Sequence, residues 1–290
     1  MLTTRSASRG GATLAELLVA LALAAIVLGA GTASLLRQQR TATHLAGTAF
    51  SGAQRRAAIG ALSAELSPLG QGVGDLAPGE ARDTSLELRA FVATGVACND
   101  AAGVATFAES DDSTGVPLGA LPQVGDSLWW YADSAGWRGQ RIVATDSVTS
   151  RCALTGASST ATRRVAIAGV DSIRLGAPLR VTRPVRYDLY KAGDGSWQLG
   201  LRDWQEAIGR FAPPQPIAGP FVLRDGTTRS GMRYFDSGGI ELPVGPAGAD
   251  VDAIARIRVT VLGIDRSGGG ARDSVRRDSV DIAMWRSRGP

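Results

Sequence analysis

From Leu17 to Leu36 the chain reads LLVALALAAIVLGAGTASLL, twenty residues without a charge and with only Thr32 and Ser34 polar. Coiled as a helix at about 1.5 Å per residue, such a run covers roughly 30 Å, the depth of a bilayer's hydrocarbon core. No other stretch restricts the fold as much, because these side chains must be covered by lipid or by other apolar helices. Arg5 and Arg9 precede the run and Arg37 and Arg40 follow it, so charge alone does not orient it. Its small-residue part, Ala30–Ser34, leaves open an exported protein cut near Ala33, and the whole segment also fits an uncleaved anchor.

Glu16 stands at the very start of the apolar run. A carboxylate carried into a membrane costs on the order of 2 to 3 kcal/mol unless it meets a partner. Spacing supplies one. If the chain were cut after Gly11, Ala12 would carry a free ammonium four residues before Glu16, on the same helix face. The open amides of the first turn add positive potential. Cleavage would thus create the charge that neutralises Glu16, on its own chain or on a neighbour packed one step along.

The segment Gly11–Leu21, GATLAELLVAL, behind the basic leader MLTTRSASRGG, resembles the prepilin motif of type IV pilins and type II secretion pseudopilins. The resemblance implies cleavage after Gly11 by a prepilin peptidase, N-methylation of Ala12, and a role in assembly for Glu16, the fifth mature residue. Ala12 departs from the family, which usually places Phe or another bulky apolar residue there.

Beyond Arg37 the chain stays helix-compatible to about Leu66 and becomes amphipathic. Ala42, Leu45, Ala49, Ala53, Ile59, Leu62 and Leu66 recur at three- and four-residue steps, with Arg37, Arg40, Arg55, Arg56 and Glu65 largely on the other face. Pro68 and the run Gly70–Gly74 end the helix. Strand patterns then predict Ser85–Val96, Ser127–Tyr131, Gln140–Val148, Arg163–Leu175, Val185–Tyr190, Ser196–Asp203, Phe221–Arg224, Met232–Phe235, Ala253–Ile264 and Ser274–Trp285. Asp194-Gly195 marks a hairpin, Ser267–Gly270 a flexible one, and Pro213-Pro214-Gln215-Pro216 with Gly219-Pro220 a loop or subdomain seam.

The expected class is α+β: a long N-terminal helix, half transmembrane and half amphipathic, packed on a β-rich antiparallel head of pilin type. The divisions are a leader at 1–11, a membrane or filament-core helix at 12–36, its amphipathic continuation at 37–67, and a periplasmic head at 68–290. Within the head, Met232–Leu242 (MRYFDSGGIEL) and Ala253–Ile264 (AIARIRVTVLGI), with Gly52–Leu66, resemble PilW-type minor pilins and J-type minor pseudopilins.

Composition narrows the chemistry. A net charge of +4 from 31 basic and 27 acidic residues, spread without blocks, does not form a nucleic-acid strip. One histidine, His44, and two cysteines leave almost no material for Ser-His-Asp or metal catalysis. No nucleophile-elbow, zinc-protease or phosphate-loop motif occurs. Catalytic residues, metal and cofactor are therefore expected to be none. Cys98 and Cys152 are either a bridge, worth about 4 kcal/mol in an oxidising compartment, or two separate buried thiols; the even count and loop-like contexts favour the bridge. Glu109 with Asp111-Asp112 reads as a solvated turn before a cation site. Trp129-Trp130-Tyr131, Trp197 and Trp204 read as sheet core or edge before a glycan patch, and Arg272–Arg288 as cross-strand ion pairing.

Together these features lead to the expectation of a non-enzymatic minor pilin or pseudopilin. It would sit single-pass in the inner membrane with its head in the periplasm and then enter a pilus or pseudopilus. Implied partners are other pilins or pseudopilins, the prepilin peptidase, the inner-membrane assembly platform and lipid. The rival is a periplasmic enzyme or binding protein on an uncleaved anchor.

Overall fold

A computed structural model describes residues 13–70, 75–77, 79–108, 121–133, 136–150, 152, 160–223, 229–245, 248–265 and 274–284. One α-helix, α1 (Leu14–Leu66, 53 residues), lies among them. The described helix up to Phe50 falls in one compact unit, and Ser51–Ile264 with the described part of Val275–Pro290 in another.

In the first unit, the large apolar residues from Leu14 to Leu36 are all more than half exposed, between 54% and 80%. In the second, the helix buries Ser51, Gly52, Arg55, Ala58, Leu62 and Leu66. The expected amphipathic face holds at Leu62 and Leu66. Leu45 is 62% exposed, and Arg55, expected on the polar face, is inside at 6%. Its charge is matched there. Arg55 Nε lies 2.7 Å from Asp278 Oδ2, and Nη1 donates to Ser51 Oγ at 2.7 Å. Gly263 makes the room, since a Cβ there would stand 2.6 Å from Arg55 Nη1.

The first strands are β1 (Ser85–Val96), β2 (Ala101–Ala102), β3 (Val104–Ala108), β4 (Ser127–Ala132), β5 (Gly136–Ser150), β6 (Thr160–Ile167) and β7 (Ser172–Ile173). They are followed by β8 (Pro178–Lys191), β9 (Trp197–Gln205), β10 (Arg210–Phe211), β11 (Gln215–Phe221), β12 (Gly231–Phe235), β13 (Arg256–Asp265) and β14 (Ser274–Ala283). Twelve of these form one sheet in the order β12-β13-β11-β9-β8-β4-β5-β6-β3, with β1 on β8, β10 on β9 and β14 on β13; β2 and β7 pair separately. Its ladders are antiparallel.

β8 organises the sheet. β1 runs along one edge from Pro178 to Asp188, while the other edge meets β4 at Thr182–Leu179 and β9 at Val185–Lys191. Its alternate side chains serve two apolar clusters, Leu179 and Val181 in one and Val185, Tyr187 and Leu189 in the other. β1 follows suit by a bulge between Phe91 and Ala93, which sets Leu88 opposite Val185 and Ala93 opposite Val181. The extra residue keeps the apolar positions of both strands on one face. Between the clusters Arg183 Nε meets Asp126 Oδ1 at 2.7 Å, and that hydrogen bond pushes the guanidinium pKa up.

Several expected strands differ in extent. Arg163–Leu175 is two strands, because the chain turns at Ala168–Asp171 and Gly103 donates to Asp171 O at 3.0 Å. The proline-rich seam is a strand from Gln215 onward, and of the expected Phe221–Arg224 strand Phe221 ends that strand, Val222 and Leu223 follow outside it, and Arg224 lies outside the described residues. β11 spans Gln215–Phe221 and pairs with β9 through two register shifts, which accommodate Pro216 and Pro220 without a regular ladder. Short β2, β3, β7 and β10 carry too few alternations to be read from sequence. The Asp194-Gly195 hairpin is present: Gly195 has φ 83°, and Asp194 Oδ1 accepts from Ser196 N at 2.9 Å. The Ser267–Gly270 loop lies outside the described residues.

Candidate functional site

Thr13 and Glu16 build the start of α1 reciprocally. Thr13 Oγ1 accepts from the Glu16 N–H at 3.3 Å, and Glu16 Oε2 accepts from the Thr13 N–H at 2.9 Å. This is a capping box, T-x-x-E, and it closes two of the open donors of the first turn. Its local signal is the T-x-x-E spacing of Thr13-Leu14-Ala15-Glu16, which the membrane-charge reading of Glu16 does not include. The Glu16 carboxylate therefore has a local hydrogen-bond donor in the Thr13 amide. Gly11 and Ala12 lie outside the described residues.

One helix in the described chain, α1, is long and apolar enough to cross a membrane. Its polar interruption is internally satisfied, with Thr32 Oγ1 donating to the carbonyls of Leu28 and Gly29 at 3.0 Å each. A hydroxyl folded back on its own helix is compatible with lipid or with a neighbouring helix. Farther along, His44 is half-buried on α1.

The head places the remaining expected residues. Cys98 and Cys152 are disulfide-bonded, with Cα atoms 4.5 Å apart and a sequence separation of 54. Both are buried, at 2% and 1% exposure, so the loop-like local sequence concealed a tertiary burial. The bridge joins the chain just after β1 to the chain just after β5. Glu109, Asp111 and Asp112 lie outside the described residues, as do Arg272 and Arg288.

The aromatic residues separate by face. Trp130 is buried in the second cluster. Trp129, next to it, points to the opposite face, where Nε1 donates to Thr182 Oγ1 at 3.0 Å. There the Arg180 guanidinium stacks on Trp129 at 5.1 Å and on Trp137 at 4.9 Å. Asp75, fully buried, sets Oδ1 3.1 Å from Arg180 Nη2, while its Oδ2 accepts from the Gly70 N–H at 2.9 Å. The approach to Nη2 is off-axis, and both that nitrogen and Asp75 Oδ1 lack a directional hydrogen bond. Arg180 is held by that charge, by the two rings and by Nη1, which donates to Asp75 Oδ2 at 3.4 Å. Trp197 packs against the first cluster, and Trp204 meets Phe211 edge-on at 5.1 Å. Tyr131 is the exposed member of the group at 43%.

In the Met232–Leu242 segment, Tyr234 is fully buried and its Oη donates to Arg82 O at 2.6 Å. Burial, aided by the Asp83 charge, drives its phenol pKa up. Asp236 Oδ1 then accepts from Gly238 N and Ile240 N at 2.9 and 2.8 Å, making a tight turn with Gly239 at φ 84°. The C-terminal ion pairing expected from sequence is present where β13 meets β14: Arg258 Nε to Asp281 Oδ1 at 2.6 Å. Asp278 instead reaches the helix at Arg55.

Comparison with protein-family models, curated proteins and solved structures finds no match.

Proposed function

We propose that the chain is a minor pilin or pseudopilin, a non-enzymatic filament subunit with a pilin-type head. In this reading it is made with the leader 1–11, held in the inner membrane by residues 12–36, and cut after Gly11 by a prepilin peptidase. Ala12 is then methylated, and the assembly platform delivers the subunit into a bundle of like helices in a pilus or type II pseudopilus. The observation that carries the reading is one continuous helix with two opposite surroundings. Up to Leu36 its large apolar side chains are more than half exposed, whereas from Ser51 it is part of a protein core. Exposed Leu, Ile and Val side chains in such number call for lipid first and apolar helices afterwards. Glu16 at the head of that surface supplies the register, its charge pairing with an amine that cleavage exposes.

Mass analysis of the N-terminus of membrane-extracted protein tests the processing step. A methylated Ala12 start is expected; Met1 supports the anchored-enzyme reading and a start near Ser34 supports export, and either overturns this one. The capping box makes the charge argument separable from helix capping. Glu16→Ala removes both, whereas Glu16→Gln keeps an acceptor for the Thr13 amide without charge. Both variants are expected to insert and yet to fail to enter filaments. Normal incorporation of Glu16→Gln would show that the cap and not the charge acts.

A further inference from the structure

The head has a cleft where two strands part. β4 pairs with β8 only as far as Trp130 opposite Leu179, yet it continues beside β5 to Ala132 opposite Gly136. β8 begins at Pro178, which has no N–H to offer a neighbour. The chain before it turns away instead, with Gly176 (φ 80°) donating to Ala97 O at 2.8 Å. The gap is a cleft of about 690 Å³, lined by Tyr131, Asp133, Arg138, Arg174 and Leu175 among others. That volume lies in the range of sites that take small organic ligands, about 300 to 1,000 Å³.

We propose that this cleft binds a neutral oligosaccharide. Tyr131 supplies the flat apolar face. Its ring is braced edge-on against Trp137, centroids 5.9 Å apart at 75°, and remains 43% exposed. The charged groups of the lining are each paired: Arg174 Nη1 lies 3.2 Å from Asp133 Oδ2, and Arg138 Nη1 lies 3.8 Å from Oδ1 of Asp171, which is outside the lining. Each guanidinium has a carboxylate beside it, so the rim presents no net field for an anion. It offers donors and acceptors in pairs, the complement of adjacent sugar hydroxyls. The pairs are at least 39% exposed, and exposed ion pairs contribute little, so hydroxyls can insert between them at small cost. An aromatic face beside paired donors and acceptors suits a sugar ring, whose C–H face is apolar and whose rim is polar. This site is independent of the filament reading.

The test uses full-length protein in phospholipid nanodiscs, free of sugar detergents. Maltohexaose, cellohexaose and chitohexaose are titrated by calorimetry and tryptophan fluorescence, with polygalacturonate and heparin alongside. At least one neutral hexasaccharide is expected to bind in the millimolar range or tighter. Its affinity should change less than about twofold as salt rises from about 50 to about 500 mM, since no phosphate-like charge is neutralised. Tyr131→Ala should weaken binding about tenfold, equivalent to about 1.4 kcal/mol, while Tyr131→Phe stays within about threefold. Arg174→Ala, at a surface position, should weaken it without changing the unfolding midpoint. Absence of binding by all three neutral sugars overturns the proposal. So does unchanged affinity in Tyr131→Ala, or a salt-sensitive preference for the acidic polymers.

Discussion

The two apolar clusters of the head lie along the same strand, β8, and are closed by different means. The first takes Ala58, Leu62 and Leu66 from α1 and packs them on β1, β8, β9, β12 and β13. The second contains no helix residue. It is lined by Val92, Phe107, Leu128, Trp130, Ile142, Val165 and Leu179, from strands that curl round until β3 approaches β1. A Cβ placed on Gly95 of β1 would lie 3.7 Å from Phe107 of β3. Where the first cluster has a helix as its lid, the second has the Cys98–Cys152 bridge at the margin of its strands. A small β-only core gains most from constraining its unfolded chain, and a core with a helix across it gains most from side-chain fit. The cleft beside Tyr131 shares Trp130 and Ala177 with the second cluster.

The division is broken most directly by removing the staple. Replacing Cys98 and Cys152 together by Ser is expected to cost about 4 kcal/mol, the chain-entropy value for a loop of this size. Hydrogen exchange should locate the loss: amides of β3, β5 and β6 should lose more protection than those of β12 and β13. Equal loss in both regions would mean that the clusters form one cooperative unit. The converse test is Leu66→Ala, which empties a fully buried site under the helix and should cost about 3 kcal/mol, measured by denaturant unfolding. Its exchange losses should fall on β12 and β13 first. Leu21→Ala, on the 59%-exposed surface of the same helix, should change head stability by less than about 0.5 kcal/mol.

The two clusters were unequally legible in the sequence. The helix, its end near Pro68 and strand β1 follow from periodicity and punctuation, and Ser85–Val96 agrees residue for residue. Leu62 and Leu66 were readable as core because their spacing is helical. Arg55 was not, since its partner Asp278 is 223 residues away and no local pattern announces a paired charge. The same holds for Asp75 and Arg180. In the second cluster β3 is short and the Arg163–Leu175 run is split by a turn, and closure depends on contacts between β1 and β3 that no window along the chain contains. The candidate site divides likewise: Glu16, the Thr13 cap and the apolar run are local signals, whereas the cleft beside Tyr131 lies where β4 and β8 part at Pro178, a tertiary feature. The absence of charge along Leu17–Leu36 marks a segment that needs an apolar cover; it does not mark which aromatic in the head faces outward.

A smaller effect sharpens the account of the second region's outer face. Gly139 lies beneath Trp129, and a Cβ there would be 2.6 Å from the indole ring. Gly139→Ala should push the ring away from Arg180 and cost about 1 to 2 kcal/mol. The near-ultraviolet circular dichroism of tryptophan should change, with exchange in β12 and β13 unaltered. An unchanged spectrum would mean that the stack over Arg180 is loose enough to absorb a methyl group.

A further small effect belongs to the first cluster and is a matter of pH. Burial raises the pKa of Glu65, in the last turn of α1, above its ordinary 4.5, and the Glu65 charge in turn adds to the burial that raises the Tyr187 phenol. A carboxyl held up in the folded state binds its proton more tightly there than in the unfolded chain. Its contribution is therefore fully present below pH 4.5 and is lost as pH rises through the folded value. Asp281 runs the other way: the hydrogen bond from Arg258 lowers its pKa below 3.8, so its contribution is present above 3.8 and lost as pH falls through the folded value. Stability should thus drift upward on acidification from neutrality to about pH 4.5 and then fall. Because Glu65 is only half-buried, screening keeps the drift under about 1 kcal/mol. Glu65→Gln should flatten it and leave the acid fall in place, as read from unfolding midpoints across the range. The double Cys→Ser variant should retain the drift, since Glu65 borders the helix-covered cluster and not the stapled one; a drift that vanished with the bridge would place the buried carboxyl's influence in the wrong half of the head.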